Sequence, residues 1–197
     1  MQNMQTTWHR DSLVPGRECG ECQLCCIVPA IDKPEIQKLS GSPCRHCLGG
    51  GCDVYETRPE VCQTYYCAWR RLDLFRDDWR PDKSGVFAEL EGDQPPQFQR
   101  LGISMILVGN PLKTIRRQDF IDFVTVNVRN KVALYMGLPG PTGKQAARLP
   151  LNTNEILAAA TQSRGEVKAL LEKILKRLQA HTHIPYEMEN SGQDVST

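Results

Sequence analysis

The pattern of this chain predicts an α+β fold: an irregular, cysteine-rich N-terminal region followed by a small sheet with a C-terminal amphipathic helix. Three observations carry that expectation. All nine cysteines fall between Cys19 and Cys67, strand-sized apolar runs begin only after Ser84, and a helical apolar stripe runs from Val167 to Leu178. The expected division is a disordered N-terminus over 1–16, a cysteine-rich region over 17–80, an α+β region ending in the helix over 81–183, and a disordered tail over 184–197.

The first region is rich in turn formers, with Gly16, Gly20, Gly41 and Gly49 to Gly51 interleaved with Pro15, Pro29, Pro34 and Pro43, and it lacks a periodic apolar pattern. Irregular loops are the expectation. Val86, Phe87 and Leu90 then mark a strand, Gly92 to Pro96 a turn, and Ile103 to Val108 a second strand. Gln118 to Val128 fits two periods, since Val124, Val126 and Val128 alternate while Phe120, Phe123, Val124 and Val128 share a helical face; the reading leans to a helix. Val132 to Met136 follows as a strand, and Gly137 to Gly143 as a loop. In the last helix Val167, Leu170, Leu171, Ile174, Leu175 and Leu178 form one stripe, Ser163 with Glu166 makes a capping box, and Lys173, Lys176 and Arg177 suit the helix C-terminus. The stripe is expected to pack on the sheet.

At 197 residues the chain is long enough to bury a core without staples. Its 24% charged residues are mixed in sign and sum to +1, so no basic stripe points to nucleic acid. No apolar run is long enough to span a bilayer, and the polar start carries no export signal, so no membrane is expected and the cytoplasm is the expected compartment. In a reducing cytosol nine cysteines suit metal ligands better than disulfides.

The cysteines are spaced for metal. Cys19-Gly-Glu-Cys22-Gln-Leu-Cys25-Cys26 reads CxxCxxCC, Cys44-Arg-His-Cys47 is a second CxxC, Cys52 follows three glycines, and Cys62 and Cys67 close the set. Two residues between cysteines let a tight turn aim both sulfurs at one ion about 2.3 Å away, and Gly20 stands where that turn needs a permissive backbone. The two CxxC elements lie about 21 residues apart, near the zinc-ribbon spacing, but one tetrahedral site uses only four thiolates, so more than one ion or a cluster is implied. A bacterial ferredoxin run and a CxxxCxxC triplet would each need a cysteine where Pro29 stands. Thr57-Arg-Pro-Glu60 reads as a capping box that puts Cys62 near a helix N-terminus. Cys62 and Cys67, five apart, would point roughly 140° from each other on one helix, so the helix is expected to unwind before Cys67.

These residues, together with Gly51-Cys52-Asp53-Val54-Tyr55, Arg58-Pro59 and Tyr65, resemble the CxxCxxCC zinc- or iron-chelating family, the YkgJ-type cysteine cluster proteins. The resemblance spans residues 19 to about 70. It implies chelation of zinc or iron by Cys19, Cys22, Cys25, Cys26, Cys47, Cys52, Cys62 and Cys67, with Cys44 as the extra cysteine. Gln63 and Tyr65 stand where the family pattern has arginine and phenylalanine.

The expected function is therefore metal binding in a thiolate cluster, with the metal ion as the expected partner. The alternative is an iron-sulfur or iron-dependent oxidoreductase or electron carrier. No catalytic set accompanies the cysteines. His46 reads as a non-ligand, and His9, His181 and His183 as solvent-facing. Gly137 to Lys144 lacks phosphate-loop spacing. Arg70, Arg71, Arg76 and Arg80 with Asp73, Asp77 and Asp78 read as a solvated or salt-bridged face, and Trp69 and Trp79 as closing the cysteine region against the core.

Overall fold

The computed structural model describes residues 13–98, 101–144 and 146–180. The expected disorder of 184–197 and of most of 1–16, and the placement of His9, His181 and His183, lie outside them.

A two-stranded hairpin comes first, β1 (Ile31–Lys33) antiparallel to β2 (Ile36–Lys38), turned at Pro34 and Glu35. Three short helices follow: α1 (Glu60–Thr64), α2 (Ala68–Arg71) and α3 (Pro81–Ser84). The main sheet has the order β3 (Val86–Asp93), β4 (Leu101–Leu107), β5 (Ala133–Leu138), β6 (Ala147–Pro150). Its pairs are antiparallel, parallel and antiparallel. The parallel pair needs a crossover, which α4 (Pro111–Ile115) and α5 (Gln118–Arg129) supply. The chain closes with α6 (Asn154–Gln162) and α7 (Arg164–Gln179). The fold is α+β, and no helix among the described residues is long and apolar enough to cross a membrane.

Both faces of the sheet are covered, which explains the unbroken apolar run of β4. Ile103, Met105 and Leu107 face one way, into a core with Val124, Leu134, Met136, Leu171 and Leu175. Ile106 faces the other way with Phe87, into a smaller cluster with Val28, against which Leu24, Cys25, Tyr65 and Cys67 pack. The cysteine loops thus sit on the sheet face opposite the helices. Residues Ala68, Trp69, Leu72, Phe75 and Trp79 nevertheless belong to the helix-side core. Trp79 stacks on Phe120 at 6.0 Å and donates its indole N–H to Asp119 Oδ2 at 2.7 Å.

Gln118–Arg129 is helical because Phe120, Ile121, Val124 and Val128 share one buried face, whereas Val126, which the alternating reading would bury, is 55% exposed. Ser163 Oγ accepts the N–H of Glu166 at 3.2 Å, and the stripe of α7 is buried except for Leu170, which is partly buried.

Some expectations are corrected. The turn at Gly92 to Pro96 starts later, because β3 continues to Asp93 through an irregularity after Glu91. Thr57 does not cap α1: it ends a 3₁₀ turn, Tyr55–Thr57, and Pro59 occupies the N-cap position of a five-residue helix. Helix α6, capped by Thr153, and edge strand β6 were not anticipated; α6 buries only Ile156, Ala159 and Ala160, too sparse a pattern to announce itself. Of the arginine face, Arg76 pairs with Asp78 at 3.0 Å and Arg80 with Asp82 at 2.7 Å, whereas the Nε atoms of Arg70 and Arg71 are buried with no hydrogen-bond partner among the described residues.

Candidate metal centre

All nine cysteines are free thiols; Cys44 is buried and the rest are half-buried. Local turns present them. The N–H of Cys22 donates to the carbonyl of Cys19 at 3.0 Å, and that of Cys47 to the carbonyl of Cys44 at 2.9 Å, so each CxxC closes as a turn. Gly20 takes a positive φ of 53°, so the first turn favours glycine through its backbone, and the tip of the Arg80 side chain lies against it. The N–H of His46 donates to Cys44 Sγ at 3.4 Å, the amide-to-sulfur contact that supports a ligating thiolate. Cys25 and Cys26 sit on a 3₁₀ turn, and Cys47 and Cys52 face each other as an isolated antiparallel bridge. The helix does unwind before Cys67: α1 ends at Thr64, Tyr65 is extended, and Cys67 becomes the N-cap of α2.

The cysteines divide into two neighbourhoods. Cys19, Cys22, Cys25 and Cys67 line one cavity of about 30 Å³, together with Tyr66 and Phe87. Burial pushes the Cys67 thiol up to about 11 against the pull of the Arg70 and Trp69 amides, and Cys19 and Cys22 add to the rise. Burial likewise raises Cys22, with the charges of Asp82 and Cys19 beside it. The second neighbourhood is Cys26, Cys44, Cys47, Cys52 and Cys62. A thiol-to-thiol hydrogen bond with Cys25, then burial, push Cys26 far above the ordinary thiol range, while a bond with Cys47 opposes them. Burial raises Cys62, followed by the charges of Cys44, Cys26 and Cys52. Cys47 is raised by burial and by Cys26, and its thiol donates to Gln23 Oε1 at 3.0 Å. Cys25 stands where the two sets adjoin.

Among the described residues no three His, Cys, Asp or Glu side chains converge closely enough to hold a metal ion as they stand. The donor chemistry fits one nonetheless: soft sulfur donors select zinc, copper(I) and iron-sulfur clusters. His46 engages other partners, with Nδ1 3.0 Å from Asp53 Oδ1 and Nε2 3.1 Å from Arg45 Nε.

The sequence singles out neither Lys38 nor Arg17, and it names Tyr65 only within the family pattern. Lys38 is buried beside the second set; burial lowers its pKa, and Cys44, Cys26, Cys25 and Cys47 oppose that. Tyr65 donates its hydroxyl to Glu89 Oε1 at 3.1 Å, and burial raises both groups, the phenol well above its ordinary value. Arg17 donates to the carbonyls of Trp69, Leu72 and Phe75 at 2.6, 2.8 and 2.5 Å, binding the segment before Cys19 to the core. The one available signal was that Lys38 and Tyr65 lie among the cysteines; Arg17 gave none. No protein-family profile, curated protein or solved structure matches this chain.

Proposed function

We propose that this protein binds zinc or iron through two thiolate sets, Cys19, Cys22, Cys25 and Cys67 in one and Cys26, Cys44, Cys47, Cys52 and Cys62 in the other. The observation that carries the reading is the division of nine unpaired cysteines into two neighbourhoods built on turns, with four of them around one small cavity. Loading asks each thiol to release a proton, and sulfurs raised by burial and by one another are the ones a divalent ion rewards most for doing so. It also asks the sulfurs to close in, by rotation about each Cα–Cβ bond, while the turns keep their backbone bonds. The CxxCxxCC spacing of Cys19, Cys22, Cys25 and Cys26 supports the same chemistry.

The test is elemental analysis with an absorption spectrum of the full chain purified under reducing, oxygen-free conditions. Close to two equivalents of metal are expected. Zinc would give a colourless protein and iron a visible chromophore. Metal-free protein whose residues 19–67 are protected from hydrogen exchange would overturn the proposal.

A further inference from the structure

Lys38 is the buried lysine among the described residues, 7% exposed at the end of β2. Its Nζ donates to the carbonyls of Ile27 at 3.0 Å, Leu39 at 3.1 Å and Pro29. A neutral amine has two N–H groups and an ammonium three. Three carbonyl acceptors therefore hold Lys38 as the cation. Two of those carbonyls belong to Ile27, directly after Cys26, and Pro29, three residues after it, so the ammonium is fixed to the loop that carries Cys25 and Cys26.

A buried charge needs an opposite charge nearby or it is costly to keep. Among the described residues no carboxylate forms an ion pair with Lys38. The bonds to Ile27 and Pro29 place the ammonium beside Cys26, whose carbonyl accepts the backbone N–H of Cys44 at 2.9 Å, so the second cysteine set lies alongside it. The other buried cation, Arg17, has Asp77 at 2.8 Å, so the lack of a carboxylate at Lys38 is a local feature. Four thiolates around a divalent ion leave about two negative charges, so a loaded site beside the loop that carries Cys26 would supply the opposite charge that the Lys38 ammonium lacks.

We infer that Lys38 is the built-in counter-cation of the second thiolate set, a positioning residue that favours metal there by offsetting thiolate charge. This rests on the metal-binding reading above.

The experiment titrates the reduced full chain with Co²⁺ as a spectroscopic probe and then with Zn²⁺ against a competing chelator, in the wild type, Lys38→Gln and Lys38→Arg. Glutamine keeps an N–H donor for the carbonyls and removes the charge; arginine keeps the charge. The expected result is two equivalents in the wild type, with one weakened about 10- to 100-fold in Lys38→Gln. Lys38→Arg should recover most of the loss. The sulfur-to-cobalt charge-transfer band of the weakened equivalent should move to longer wavelength in Lys38→Gln alone, because the ammonium no longer stabilises the sulfur lone pairs. Equal affinities and unshifted bands in a wild type and Lys38→Gln that both load metal would overturn the inference and leave the metal-binding reading intact. Equal losses in Lys38→Gln and Lys38→Arg would overturn it in favour of a purely structural lysine. A wild type that takes no metal would overturn both.

Discussion

The backbone N–H of Cys44 donates to the carbonyl of Cys26 at 2.9 Å, tying the second cysteine loop to the first. Through that bond two cysteines 18 positions apart become neighbours in the backbone itself. It also gives Cys44, which the chelating-family pattern omits, the same footing as Cys47, with which it shares a closed turn.

Serine substitution should therefore sort by neighbourhood. Cys19→Ser, Cys22→Ser and Cys67→Ser should each lose one equivalent of metal, and Cys47→Ser, Cys52→Ser and Cys62→Ser the other. Cys44→Ser should fall with the second group. Metal-to-protein ratios check this, and equal loss of both equivalents from every substitution would show a single shared cluster.

Arg17→Met should destabilise the chain by about 3 kcal/mol or more, because three buried carbonyls lose their donor at about 1–3 kcal/mol for each unsatisfied group. Asp77→Asn should change stability by only a few tenths of a kcal/mol, since the Asp77 side chain is 88% exposed and an exposed ion pair contributes little. Urea unfolding of both variants separates the carbonyl bonds from the ion pair as the source of the anchor.

What could be read from the residues alone was whatever repeats. The stripe of α7 and the face of α5 recur at helical spacing, and the cysteines recur in CxxC units, so each declares its geometry locally. Lys38 shows only its place among the cysteines and Arg17 not even that, because their role depends on carbonyls contributed by other turns and no side-chain pattern encodes a carbonyl's direction. The same holds for the two cysteine neighbourhoods. Cys67 joins Cys19 and Cys22 only because Arg17 and the core hold Ala68 and Trp69, the first residues of α2, in place behind it.

Asp119 should give the chain an acid-sensitive component. Burial raises its carboxyl, but the Arg117 guanidinium at 2.5 and 3.0 Å and the Trp79 indole outweigh that, leaving it below its ordinary value. A depressed carboxylate contributes stability that is fully present above its unfolded pKa of about 3.9 and is lost as pH falls through the lower folded value. Asp119→Asn should therefore cost about 1–3 kcal/mol at neutral pH, and the gap to the wild type should close toward pH 2. Thermal melts across that range check the sign; a gap that widens in acid would refute it.

Metal removal should open the cysteine region in part and leave the rest attached. Leu48 and Tyr55 are exposed, and Gly49 and Gly51 take positive φ, so the loop between Cys44 and Cys62 has little apolar burial to hold it. A structural zinc site supplies about 10–16 kcal/mol of apparent binding free energy, which this loop cannot replace. Residues Ala68 to Trp79 sit instead in the helix-side core, with Trp79 stacked on Phe120 and Phe75 on Phe123 at 5.0 Å. Trypsin offers a direct reading, because Arg45 is exposed in the loop whereas the Nε atoms of Arg70 and Arg71 are buried. With a chelator and a reductant present, cleavage after Arg45 should accelerate at least tenfold, about 1.4 kcal/mol of lost local stability, while Arg70 and Arg71 stay uncut. Mass spectrometry of the fragments reads both sites in one digest. Cleavage at Arg70 and Arg71 in step with Arg45 would mean that the metal holds the whole segment from Cys19 to Trp79, and that the aromatic stack cannot keep α2 in place without it.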